Sequence, residues 1–150
     1  MAEVVILVTG SRYYQHSLTD HCDALATLAQ HLYPDQPITL IHGGAKGVDS
    51  SAAVEGQQRG WTVSCYPADW QQYGKAAGPL RNQRMVDEQP HLALAVLDPD
   101  SRGTLNCLQQ LAHSTTTHGS RLTYTLLVDP GTGEALWLDP QQLRERFRTC

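Results

Sequence analysis

Apolar positions in this chain gather in short unbroken runs rather than in long stripes. Residues 4–8 (VVILV) and 92–97 (LALAVL) are wholly apolar and residues 38–41 (ITLI) nearly so. Runs of this length, bounded by polar loops, are the pattern of strands buried on both faces in a parallel sheet. Residues 61–66 alternate instead, with Trp61, Val63 and Cys65 set against Thr62 and Ser64 before Pro67 breaks the pattern, which predicts a strand with one face toward the core. Between the runs the period lengthens. Leu18, Cys22, Leu25, Ala29 and Leu32 recur at helical spacing behind a Ser17/Asp20 capping box, and Tyr33-Pro34-Asp35 ends that helix. Asp49 is a good N-cap for a helix reaching Arg59, with Gly60 as its stop. Pro79 stands where a short helix carrying Arg81, Asn82 and Arg84 would begin, and Leu105, Leu108, Leu111 and Ala112 give the face of another.

Residues 68–78 read as a loop and residues 114–120 as a polar linker. Beyond them, residues 124–128 and 135–138 flank Pro130-Gly131-Thr132-Gly133, a hairpin signal, and Asp139-Pro140 starts a last helix through about Arg148. Strands alternating with helices imply parallel pairing with right-handed crossovers and helices on both faces of the sheet. The expected fold is therefore α/β, a Rossmann-like three-layer sandwich with a central, mostly parallel sheet. Residues 1–120 form its core, and residues 121–150 a C-terminal hairpin-plus-helix extension of the same domain.

A length of 150 residues is one domain's worth. No stretch approaches the roughly 18 apolar residues of a membrane span, and the chain enters a strand with no basic-then-apolar leader, so the expected address is cytoplasmic. Cys22, Cys65, Cys107 and Cys150 are scattered singly, fitting neither a zinc ribbon nor a redox pair, and are expected as thiols. His16, His21, His31, His42, His91, His113 and His118 show no HExxH and no i, i+4 pairing, so no metal is expected. The net charge of −4 argues against a broad nucleic-acid footprint. Its distribution is more informative. Arg12, Lys46, Lys75, Arg81, Arg84 and Arg102 lie in or beside glycine-bearing loops, and cations placed where backbone donors also gather suit a compact anionic ligand.

Two of those loops follow strands directly. Thr9-Gly10-Ser11-Arg12 offers close backbone approach, two hydroxyls and a guanidinium fork to a phosphate, or is simply a tight turn with a solvated arginine. His42-Gly43-Gly44-Ala45-Lys46-Gly47-Val48-Asp49 places three glycines ahead of a helix whose free N–H groups favour an anion, with Asp49 as that helix's cap. It is neither GxGxxG nor a P-loop. Asp69, Trp70 and Tyr73 either line a base or ribose pocket or pin a surface loop. Lys75, Arg81 and Arg84 add cationic donors around Gly78-Pro79, and Gly103-Thr104 opens the helix after the fourth core strand. No nucleophile has a paired histidine, and His42 reads equally as a packed strand-end residue or as a base, so no catalytic residue is assigned.

Thr9-Gly10-Ser11-Arg12, the 42–49 loop, Ala68-Asp69-Trp70, Gly74-Lys75-Ala76-Ala77-Gly78-Pro79-Leu80-Arg81-Asn82 and Gly103-Thr104 occur together in this order. Together they resemble the YspA/YpsA-related family of the SLOG superfamily, which includes the DNA-processing protein A family and the "lonely guy" cytokinin-activating phosphoribohydrolases. The resemblance covers about residues 4–120. It implies a Rossmannoid fold and a pocket for a nucleotide or nucleotide-derived ligand, ADP-ribose-like, with members found in bacterial and phage conflict systems as sensors or binders of nucleotide signals. Carried onto this chain, the implied pocket residues are Gly10, Ser11 and Arg12, then Gly43, Gly44, Ala45, Gly47 and Asp49, then Asp69, Lys75, Arg81, Asn82, Gly103 and Thr104.

The phosphoribohydrolase branch is similar in outline only, because its glycine-threonine motif runs into a pair of glutamates. Here Gly103-Thr104-Leu105 runs into Asn106-Cys107, and a neutral amide cannot accept a proton as a carboxylate does. Asp98, Asp100 or Asp49 would have to substitute. Binding without cleavage is thus the leading expectation, with no cofactor, a nucleotide-derived small molecule as partner and a homodimer or larger assembly closing the pocket. A nucleotide N-glycosidase or phosphoribohydrolase is the alternative, and a single-stranded DNA-binding protein the third reading.

Overall fold

The computed structural model describes residues 2–117 and 123–148. In chain order the elements are β1 (Val4–Gly10), α1 (Thr19–Leu32), β2 (Ile38–His42), α2 (Val48–Gln58), β3 (Thr62–Cys65), α3 (Trp70–Tyr73), a 3-10 turn (Gly74–Ala76), α4 (Ala77–Val86), β4 (Leu92–Val96), α5 (Arg102–Thr117), β5 (Tyr124–Val128), β6 (Ala135–Leu138) and α6 (Pro140–Phe147). One six-stranded sheet has the order β3-β2-β1-β4-β5-β6. The first five strands are parallel neighbours, and β6 returns antiparallel on β5 with Thr125 opposite Leu138 and Val128 opposite Ala135. This is the Rossmann-like α/β architecture that the alternating runs predict.

The strands sort their side chains by parity. Val4, Ile6 and Val8 join Leu18, Cys22, Leu25 and Ala29 of the α1 region and Val48 and Ala52 of α2 in one core layer. Val5 and Leu7 face the other way, toward Met85 and Val86 of α4, Leu108 and Leu111 of α5, and Leu143 and Phe147 of α6. Period-two alternation within an all-apolar run is what lets one strand serve both layers. Each large aliphatic buried this completely contributes roughly 1.5–3 kcal/mol.

Several boundaries differ from the sequence reading, each for a local reason. No capping box forms at Ser17: its Oγ accepts from Thr19 N at 3.1 Å, and α1 starts at Thr19 without a side-chain cap. Residues 68–78 are not a loop. Asp69 caps α3 by accepting from Gln72 N at 3.1 Å, and the Trp70 ring lies where a Cβ on Gly78 would meet it at 3.3 Å. Pro79 is consequently the third residue of α4 rather than its first. Residues 114–117 of the expected linker belong to α5, and 118–120 lie outside the described residues. The last helix starts as expected, with Asp139 and Gln142 forming a reciprocal capping box and Pro140 following. No described helix is long and apolar enough to cross a membrane.

The hairpin between β5 and β6 is tied back to the segment that follows β1. His16 Nε2 donates to Gly131 O at 3.2 Å and His21 Nε2 to Gly133 O at 2.8 Å. A carbonyl can only accept, which fixes the proton on Nε2 of both rings.

Candidate functional site

The strand order reverses direction between β1 and β4. From β1 the chain runs to α1 and β2 on one side, while β4 leads to α5 and β5 on the other. In a doubly wound sheet this parts the loops at the carboxyl edge and opens a crevice. A cavity of about 690 Å³ lies there, lined by Thr9 to Tyr13 from the end of β1, Ala45 and Asp49 from the β2–α2 connection, Trp70, Lys75, Gly78, Pro79, Arg81 and Asn82 from α3 to α4, and Asp98, Asp100 to Thr104 and Asn106 around the start of α5. The volume is that of a small-molecule site.

Ten of the fourteen residues singled out from sequence line this cavity: Gly10, Ser11, Arg12, Ala45, Asp49, Lys75, Arg81, Asn82, Gly103 and Thr104. Gly43, Gly44, Gly47 and Asp69 do not. Asp69 is engaged as the cap of α3. The three glycines stand outside the lining, in a loop whose N–H groups bond Asp49, His42 and Ser11. Asp49 Oδ2 accepts from Gly43 N at 3.0 Å and from Ala45 N at 3.3 Å, His42 Nδ1 accepts from Gly44 N at 2.9 Å, and Ser11 O accepts from Val48 N at 3.2 Å. Four of the backbone donors expected to greet a phosphate, those of Gly43, Gly44, Ala45 and Val48, are therefore already bonded.

Asp49 has a different job from the capping role the sequence suggests. Gly47 is the N-cap of α2, and Asp49, inside the first turn, reaches back to hold the preceding loop closed. Burial pushes its carboxyl up to about 6, against the opposing pull of the Ala45 and Gly43 N–H groups and of the Arg81 guanidinium. A folded value above the unfolded one makes ionisation unfavourable to folding, so stability from this group is full below pH about 4 and is lost as pH rises through about 6. The loss is about 3 kcal/mol. Asp49→Asn should flatten that part of the stability profile, measured as urea midpoints between pH 4 and 7; an unchanged slope would show that Asp49 titrates normally. Burial and Arg81 lower the His42 pKa, consistent with a neutral ring whose Nδ1 accepts from Gly44 N.

Arg81 joins the two halves of the site. Its Nη1 donates to Gly43 O at 2.6 Å and its Nε to Asn82 Oδ1 at 2.9 Å, while Asn82 Nδ2 donates to Gly103 O at 3.1 Å and to Asn106 Oδ1 at 3.1 Å. The β2–α2 loop, α4 and the start of α5 are thus linked through two adjacent residues. Gly43 must be glycine for this: a Cβ there would sit 2.1 Å from Arg81 Nη1. Ser11 is similarly occupied, with its N–H on Val96 O at 3.2 Å and its Oγ accepting from Tyr13 N at 3.1 Å.

The cavity lining carries four cations and three carboxylates. Arg12, Lys75, Arg81 and Arg102 line the cavity, and among the described residues the only side-chain ion pairs are those of Arg59 with Asp23 and Glu55, on α1 and α2. Asp98 and Asp100 stand on the same rim without bridging to any of the four; Asp98 Oδ1 instead accepts from Asp100 N at 3.1 Å. Two aromatic rings lie at the opening, Tyr13 at 82% and Trp70 at 55% exposure. Tyr13 and Asn106 carry no motif signal and are absent from the sequence-based set. Tyr13 looks like an ordinary surface residue after Arg12, and Asn106 stands out only as a missing carboxylate.

Architecture and cavity define a Rossmann-like α/β protein whose loops converge at the switch point of the sheet. The family model described as the YspA, cpYpsA-related SLOG family matches residues 4–73. Gene 61 protein of Mycobacterium phage D29 is 37% identical over 110 residues, which cover 70% of this chain and 86% of that protein. The chain belongs to the YspA, cpYpsA-related SLOG family. The X-ray structure of DNA processing protein A from Streptococcus pneumoniae aligns over 99% of the chain with a TM-score of 0.37 and 16% identity, and the alignment spans 63% of that protein's length.

Proposed function

We propose that this protein binds a phosphorylated nucleotide or nucleotide-derived ligand of ADP-ribose type in the switch-point cavity, and senses or sequesters it rather than cleaving it. The observation that carries the reading is the set of four rim cations, Arg12, Lys75, Arg81 and Arg102, none of which is held in a salt bridge among the described residues. Cations not committed to a salt bridge around one cavity attract an anion, and charge-assisted bonds to it contribute roughly 1.5–3 kcal/mol each. The first residues of α5, Arg102 to Thr104, present a helix N-terminus to the same space. Exposed Trp70 and Tyr13 suit the planar face of a base. A phage-encoded relative supports a setting in phage–host conflict, and the proposed place of action is the cytoplasm.

Calorimetry against AMP, ADP, ADP-ribose and NAD tests the reading. Saturable binding tighter than millimolar by at least one is expected, weakened about tenfold or more by Trp70→Ala if its ring stacks on the base. Absence of binding across the panel would remove the proposal. A homodimer is proposed as the working form, and light scattering that shows a strict monomer with bound ligand would correct it.

A hydrolytic reading has one observation in its favour: Asp49 lines the cavity and its carboxyl, at about 6, is poised to exchange a proton near neutrality. Its Oδ2 is already held by two backbone donors, which suits a structural latch better than a mobile acid. Chromatography for free base after prolonged incubation with each nucleotide decides between them; released base, lost in Asp49→Asn, would favour the enzyme.

A further inference from the structure

The hydrogen-bond polarity through Asn82 has one consistent assignment. Arg81 is a donor at every nitrogen, so the Asn82 atom that meets Arg81 Nε at 2.9 Å must be the amide oxygen. A carbonyl oxygen only accepts, so the atom 3.1 Å from Gly103 O must be the amide nitrogen. That nitrogen has a second hydrogen, which goes to Asn106 at 3.1 Å, and the receiving atom there must be Oδ1. Fixed groups at both ends thus set both amides, where an isolated asparagine would be free to flip. Asn82 is 3% exposed, which shields the relay from competing water. Asn106 lines the cavity, and among the described residues its Nδ2 meets no acceptor.

We infer that Asn106 is a ligand-binding residue that donates its Nδ2 hydrogens to an anionic oxygen of the ligand's phosphate, and that Asn82 is the positioning residue that holds it donor-outward. The inference rests on the proposed binding of a phosphorylated nucleotide. It adds an uncharged donor beside Arg81 and Thr104, at the start of α5. Such a donor rewards an acceptor and, unlike a carboxylate, does not repel the anion.

The test is calorimetric titration of ADP-ribose and of AMP into the full chain. Asn106→Ala should weaken binding about tenfold or more, the range for a hydrogen bond to a charged group. Asn106→Asp keeps an acceptor for Asn82 but turns a carboxylate toward the anion. It should weaken binding by about a hundredfold at pH 7.5, with part of the loss regained at pH 5 relative to wild type at the same pH. Asn82→Asp should weaken binding more in the wild-type background than when Asn106 is already alanine, the remainder coming from its new charge beside Arg81, a coupling that a purely structural role would not give. Should Asn82→Asp fail to fold, the half-buried Asn106 variants carry the test alone. Wild-type affinity in both Asn106 variants, with Arg81→Ala weakened, overturns this inference and leaves the binding proposal standing. No binding of either probe by the wild-type chain overturns both.

Discussion

Gly47→Ala is expected to destabilise the protein by on the order of 4 kcal/mol, a fall in melting temperature of about 10 °C. Gly47 caps α2 with φ 79° and ψ −120°, a conformation that residues with a Cβ rarely adopt. The added methyl would also meet Ser11 O at 2.5 Å and the Arg12 carbonyl carbon at 2.6 Å. Both obstacles are backbone, so no rotamer change relieves them. They belong to the turn leaving β1, whose Ser11 O accepts from Val48 N; pushing the turns apart breaks the contact that sets two walls of the cavity. Thermal melts by circular dichroism give the readout. A melting temperature within about 2 °C of wild type would show that the loops part at little cost.

Gly43→Ala makes the opposite kind of prediction: a folded protein that has lost its ligand. Here the methyl would collide with the Arg81 guanidinium, Nη1 at 2.1 Å and Cζ at 2.6 Å, and a long side chain can swing away. The cost to stability is then about one hydrogen bond, roughly 1 kcal/mol. With Arg81 displaced, nucleotide affinity should fall about tenfold to a hundredfold, although residue 43 does not itself line the cavity. Adding Arg81→Ala to Gly43→Ala should weaken binding little further, because both changes remove the same contact. Calorimetry on the single and double variants checks this, and wild-type affinity in Gly43→Ala would show that Arg81 does not touch the ligand.

The sheet was legible because its signal is local. An apolar run such as residues 92–97 admits few readings, and three such runs and one alternating segment, separated by helical periods, leave little choice of topology. What escaped were features decided by partners distant in the chain or by competing partners nearby. An aspartate before a helix can cap it or reach backward; that Gly43 and Ala45 N–H groups claim Asp49 follows from the shape of the loop. The four-residue α3 has no periodicity to detect, and its aromatics read equally as loop anchors. Half of the cavity lining was singled out from the sequence, largely through cations and glycines in or beside the loops. Asn106 was not, since its contact with Asn82 is set by the fold rather than by the motif. In the glycine loop the N–H groups of Gly43, Gly44 and Ala45 are bonded to the loop's own side chains, while residues of α4 and the start of α5 line the cavity.

The tie between the histidines and the far hairpin carries a consequence for evolution of the chain. His16 and His21 grip main-chain oxygens of residues 131 and 133, so the grip depends on where that bend lies. What the bend must keep is its own shape, set by Gly133 at φ 77° and by Asp129 Oδ1 accepting from Gly131 N and Thr132 N, and through that shape it steadies the segment that delivers Arg12 and Tyr13. Lengthening it by even one residue would shift both oxygens out of reach and loosen the near lip of the cavity from a distance.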